Sequence, residues 1–449
     1  MGRTGFLKGH RHPKKLRQAG ALQIPLSNFP TFHLPPAHCQ LPTANFLPPI
    51  PQLPPTLTFP NSITRWLTRE SASNRFIAEI DGLRFLAIAG VLLYHLGHFF
   101  SVKSGFSTSA TAFTTILHQG GIGVHLFFVI SGFVIALPFA RHYLMATQKP
   151  RLKRFYFRRF TRLEPPYFLN LIILFALLVI VKGQSPVELL PHLAASLFYI
   201  HGFVFGEPSL INHVAWSLEI EFQFYLLAPF FCIVFAIGQT WWRRFVLAAI
   251  VIGVSTWTVT AAPEAALHRL SLVPFLPFFF CGFLLADLWV LGGDKMREHS
   301  GFAWDVVGTS ALVAAPLVVS RYAWWPAVLP PLFLLLSYAA FRGRALNALL
   351  CWRPVYMIGG HCYTIYLYHF LIISLIGNPL VRAFESTSLG PNSQILIGAL
   401  VIMPSTVIVS GILFLLTERP FMVRDWPARI YAYLRRGAAK DSRPERTHA

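Results

Sequence analysis

Residues 80–100 read IDGLRFLAIAGVLLYHLGHFF, an apolar run interrupted by one guanidinium, Arg84, and one deep imidazole, His95. A bilayer core about 30 Å thick is crossed by roughly 20 apolar residues in a helix, so this stretch is long enough to span. Arg84 and His95 stand eleven residues apart. That is almost three helical turns, which puts both side chains on one face about 16 Å apart along the axis. A charge at the centre of a membrane helix costs on the order of 3 kcal/mol, so intramembrane ionisable groups usually face a polar cavity. Taken singly, Arg84 also reads as an anchor reaching for headgroups and His95 as a packing histidine. Their shared face favours a common cavity.

The rest of the chain supports a membrane setting. Of its 449 residues 54% are hydrophobic and 12% charged, half the roughly 25% charged share of soluble domains. Ten bilayer-length runs are expected, at 80–100, 122–142, 165–183, 214–237, 245–262, 270–291, 303–320, 324–341, 355–377 and 394–417. None shows the alternation of a β-barrel, so the fold class is an all-α polytopic membrane protein with about ten transmembrane helices. The net charge of +20 does not point to nucleic acid, because Arg and Lys cluster in short connections, where they set orientation. The connection RHYLMATQKPRLKRFYFRRFTRLEP (141–165) holds eight of them and is expected to face the cytoplasm. Ten spans then put both termini, QTWWRR, GGDKMREH and FRGRALNALLCWRP on that side. The apolar segment LLPHLAASLFYIHGFVF (189–205) would break the agreement if it crossed, and reads as re-entrant or interfacial.

Residues 1–75 are proline-rich and basic and read as a disordered tail; 76–425 form the membrane domain and 426–449 a basic cytoplasmic tail. Cys39, Cys232, Cys281, Cys351 and Cys362 lack paired or metal-ligand spacing and read as apolar fillers, so no metal is expected. No internal repeat of fixed period is visible.

Other polar residues fall at matching depth. Counting helical rise, Glu221 in HVAWSLEIEFQFYLLAP lies about 12 Å below the outer boundary, while His369 in YMIGGHCYTIYLYHFLII and His95 each lie about 20 Å from the inner one. Three ionisable groups from three helices at one level are what a buried acid–base site needs. Glu219 and Glu221 are two residues apart and should face different ways. Tyr225, one turn below Glu221, and Tyr366, three before His369, each either orient a proton donor or pack, with packing the preferred reading. A proton-coupled transporter uses the same residue types, although the chain lacks the paired interrupted helices of inverted-repeat folds.

Six motifs in order sharpen the choice. The Arg-x10-His pair Arg84–His95, the glycine-rich GIGVHLFFVISGF, the basic RRFTRLEPPYFL with Arg158, Arg159 and Arg162, AWSLEIEFQFYLLAP with Trp216, Ser217, Glu221 and Gln223, GGHCYTIYLYHF, and TERPF with Glu418 and Arg419 together resemble the acyltransferase-3 family of integral membrane acyltransferases, over roughly residues 76–425. His125 stands where that family commonly has Asp, so it is assigned no role. The SGNH-type hydrolase domain fused to some members has no counterpart in the roughly thirty residues after TERPF. The His-x4-Asp signature of glycerophosphate-type acyltransferases does not occur.

The resemblance implies transfer of an acyl group, commonly acetyl from acetyl-CoA, to a hydroxyl of a cell-surface glycan, glycolipid or small acceptor, in a bacterial inner membrane. It implies acyl-CoA as a donor substrate and no permanently bound cofactor. His95 would take the hydroxyl proton or briefly carry the acyl group, with Glu221 or another carboxylate orienting it and His369 alongside. Arg84, Arg158, Arg159 and Arg162 would hold CoA phosphates at the cytoplasmic rim, Arg162 foremost because it adjoins an expected helix start at Pro165. Glu418 would pair with one of these arginines.

Overall fold

In the computed structural model residues 76–104, 117–260, 270–293, 296, 300–422 and 426 are described, all belonging to the unit Phe59–Ala449. The expected N-terminal tail lies outside them, and of the C-terminal tail only Trp426 is described. The described residues contain no strand. Among the described residues ten helices are long and apolar enough to cross a membrane.

In chain order the helices are α1 (Ala78–Ser104), α2 (Gly123–Met145), α3 (Leu152–Ile180), the short α4 (Pro186–Leu197) and α5 (His201–Phe205), α6 (Trp216–Phe231), α7 (Thr240–Thr260) and α8 (Leu276–Gly292). They continue with α9 (Phe302–Arg321), α10 (Trp325–Arg342), α11 (Ala345–Leu350), α12 (Arg353–Gly360), α13 (Cys362–Glu385), α14 (Pro391–Leu413) and α15 (Arg419–Met422). Local sequence explains their ends. Glu79 and Asp81 open α1 and Lys103 closes it, each charge complementing the helix dipole. Pro391 occupies the first turn of α14, where its missing N–H costs nothing.

The main core gathers α1, α2, α6, α8 and α10 around aromatic rings; Phe224 stacks on Phe279 with centroids 3.8 Å apart. At Gly359 of α12 an added Cβ would run into the Asp81 carbonyl of α1. Only glycine allows that approach, and it seats α12 directly against the turn that carries Arg84. A buried knot ties α7 to α8. Asp287 accepts from Arg243 Nε at 2.6 Å and from Arg244 Nε at 2.7 Å, and Arg243 also donates to Ile237 O at 2.6 Å.

Three expected boundaries differ. The third span does not start at Pro165: α3 begins at Leu152 and runs through Pro165 and Pro166. A proline frees the carbonyl four residues before it, and here the Thr161 carbonyl accepts from Trp426 Nε1 at 3.0 Å. An external donor thus repairs the break. The ninth span is two helices, α12 and α13, parted at His361. The tenth, expected as one α-helix to 417, leaves α geometry after Leu413 for a π-turn, Phe414–Glu418, a local underwinding often found at functional positions.

Residues 189–205 form no spanning helix. With 12 residues in α4 and 5 in α5, neither reaches the length a bilayer needs. The break falls at Tyr199, whose φ is +59°. Glu219 accepts from Gly202 N at 2.9 Å and Tyr199 donates to Glu164 at 2.6 Å, so the broken segment is pinned to α6 and α3.

Candidate active site

The expected site residues fall into layers along α1, α6 and α13. The first is charged. Arg84 of α1 pairs with Asp81 one turn earlier. Arg162 of α3 lies 3.7 Å from Glu418 in the π-turn, and Glu418, 1% exposed, accepts from Thr364 of α13 at 2.6 Å. Glu221 of α6 accepts from Ser131 of α2 and from Tyr225 one turn along its own helix. Five helices and the π-turn thus supply one charged and polar layer.

Arg159 differs from its neighbours. Its guanidinium lies 4.4 Å from the Phe155 ring centroid and 5.1 Å from that of Tyr225. Among the described residues no carboxylate pairs with it, so ring faces hold the group while its N–H fork stays unspent. Arg158 is exposed.

One face of α6 leads away from this layer, since residues four apart stack along a helix. Ser217 sits one turn before Glu221, and its hydroxyl is 2.7 Å from the Tyr366 hydroxyl, which donates to Val214 O at 2.9 Å. Tyr225 and Tyr366 are therefore polar partners and not only packing residues, correcting the expectation from sequence. Glu219 points to α5, as the two-residue spacing predicts.

The next layer holds the histidines. The rings of His95 and His369 have centroids 5.0 Å apart, with Phe370 at 5.0 Å from His95. His369 is fully buried. Its Nδ1 lies 2.7 Å from the Tyr366 carbonyl, which can only accept, so Nδ1 carries the proton and Nε2 keeps its lone pair. That Nε2 is buried without a hydrogen-bond partner among the described residues. A polar clasp steadies the level: Asn212 donates to Asn170 at 2.8 Å, and Asn170 to Leu367 O at 3.1 Å, tying the entry of α6 to α3 and α13.

The structure thus joins His95 to His369, and Glu221 to the arginine layer. The imidazole beside His95 is His369; the described partners of the Glu221 carboxylate are Ser131 and Tyr225. Sequence reading missed Asp81, Ser131 and Thr364. Asp81 had a local signal, an acid three residues before Arg84; the other two are brought in by tertiary packing alone. His125 sits among the rings of Phe278 at 4.7 Å, Phe275 at 5.6 Å and Trp325 at 5.6 Å. No cluster of three His, Cys, Asp or Glu suited to a metal ion occurs among the described residues.

The known proteins that this chain resembles carry the name O-acetyltransferase. The peptidoglycan O-acetyltransferase OatA of Listeria monocytogenes is 28% identical over 335 residues, covering 68% of this chain and 50% of its own length. The O-acetyltransferase OatA of Staphylococcus aureus is 26% identical over 337 residues, covering 69% of this chain and 53% of its own. The chain therefore spans about half the length of these curated relatives. No solved structure gives a significant match. The family model described as "Acyltransferase domain" matches residues 77–415, which takes in Arg84, His95, Glu221 and His369, and the protein belongs to this acyltransferase-3 family.

Proposed function

We propose that the chain is a membrane-embedded O-acyltransferase that moves an acyl group, acetyl first among them, from acyl-CoA to a hydroxyl of a cell-surface glycan. The observation that carries this is the His95–His369 ring pair, separated along one helix face from an arginine layer. His369 carries a lone pair on Nε2 that no described residue satisfies in the resting structure; in the proposed step the adjacent His95 ring turns an N–H toward it, which fixes the tautomer of His95. The other nitrogen of His95 is then a lone-pair base.

The hydroxyl proton passes to His95 as the oxygen attacks the thioester carbonyl. The tetrahedral intermediate collapses with the thiolate leaving, and the imidazolium returns the proton to sulfur. The products are an ester and free CoA. The nucleotide end of the donor sits at the arginine layer, and its flexible arm covers the roughly 16 Å to His95. Arg159 is the first choice for a donor phosphate, because its donors are not committed to a carboxylate. Arg84 and Arg162, each beside a carboxylate, shape the mouth, with Arg158 at its exposed edge. Acyl-CoA is a substrate here; the reading requires no resident cofactor.

The positive-inside rule supports a cytoplasmic arginine end and cytoplasmic termini. Bacterial relatives support the plasma membrane of a bacterium, and their printed names support peptidoglycan as an acceptor. The test is transfer from radiolabelled acetyl-CoA by purified protein in lipid nanodiscs. His95→Ala and Arg84→Ala should abolish transfer with folding intact, and Arg159→Gln should raise the acyl-CoA KM about tenfold, a loss of about 1.4 kcal/mol of binding. Full activity of His95→Ala would remove the proposal.

A further inference from the structure

Beyond His95, at the end of the bundle away from Arg84, lies a second group of imidazoles that neither the arginine layer nor the His95–His369 pair uses. Glycines place it. Gly90 of α1 and Gly120 approach so closely that a Cβ on either would meet the carbonyl of the other, and a Cβ at Gly97 would meet Leu117. Residues 117–122 are thereby laid directly on α1. His118 then stands edge-on to Tyr94 with centroids 6.3 Å apart.

Tyr94 is the hub. Its ring is edge-on to His95 at 4.8 Å and, at 6.3 Å, within 16° of parallel to His98. His98 follows His95 by one turn. His98 is exposed, whereas His118 Nε2 is buried with no hydrogen-bond partner among the described residues. Histidines that merely decorate a wet surface need neither the glycine seat nor a buried ring nitrogen without a partner.

We propose that Tyr94, His98 and His118 form the acceptor subsite, holding the sugar unit next to the hydroxyl that His95 deprotonates. The chemistry fits a hydroxyl-rich ring. A neutral imidazole both donates and accepts, as each sugar hydroxyl does, and the Tyr94 face offers a flat apolar surface to the C–H side of a pyranose. No lysine or arginine belongs to the group, so recognition rests on hydroxyls and ring faces. The subsite rests on the O-acyltransferase reading above.

The test uses the full chain in nanodiscs with radiolabelled acetyl-CoA and a series of chitin- and peptidoglycan-derived oligosaccharides. The double variant His98→Gln with His118→Gln should raise the acceptor KM at least tenfold while the KM for acetyl-CoA stays within twofold. Thermal melts check that each variant is folded. The single variant His98→Gln, at an exposed position, serves where the double variant melts early, and should show the same split at a smaller size. Unchanged acceptor KM in folded variants, or equal loss on donor and acceptor, overturns the subsite while the enzyme reading stands. No transfer by the unaltered protein to any oligosaccharide overturns both.

Discussion

His369→Phe isolates what the second imidazole contributes. The ring volume is nearly kept, so packing around this fully buried position should change stability by less than about 1.5 kcal/mol. The Nδ1–H bond to the Tyr366 carbonyl at 2.7 Å is lost, but that carbonyl keeps its helical N–H partner. What disappears is the Nε2 acceptor facing His95. In the proposed step His95, on gaining the hydroxyl proton, donates to that acceptor, and such charge-assisted bonds are worth about 1.5–3 kcal/mol. At about 1.4 kcal/mol per factor of ten, kcat should fall about 10- to 150-fold. The assay is steady-state acetyl transfer with both substrates varied, beside a thermal melt of the same preparation. A folded variant whose kcat lies within twofold of the unaltered protein would refute the orienting role of His369.

Two further outcomes concern the scaffold. Asp287→Asn strips the charge that holds Arg243 and Arg244, with Arg243 only 1% exposed; a stranded buried guanidinium costs about 3–5 kcal/mol, read as an early melt in detergent. Burial, only partly offset by the Glu207 carbonyl, holds the His201 imidazole below its ordinary pKa, with His192 at 2.8 Å adding to the lowering. The group is then neutral when folded but charged when unfolded below about pH 6.5. Stability should therefore fall as pH drops through that value, and His201→Gln should flatten the slope of melting temperature against pH.

The sequence made the membrane architecture legible because twenty-residue apolar runs leave a helix little alternative. The Arg84–His95 pair could be placed by counting turns, and the Glu219/Glu221 split by the same geometry. Counting turns could not choose partners across helices. Glu221 was matched to His95 by depth, yet side-chain direction sends its carboxylate to Ser131 of α2. The start of α3 was set at Pro165 by a local rule; a tryptophan more than 260 residues later in the chain supplies the donor that overrides it. Arg162 was ranked above Arg159 for its place beside that proline, whereas the structure commits Arg162 to Glu418 and leaves Arg159 between rings. Short-range rules did well along each helix and poorly between helices.

Sidedness decides the central claim that donor and acceptor meet from opposite ends of one bundle. Acetyl-CoA sealed inside oriented proteoliposomes, with the oligosaccharide only outside, should yield acetylated product outside when the cytoplasmic face of the protein points inward. His95→Ala should give none in the same vesicles. Product formed only when both substrates share one compartment would contradict the account.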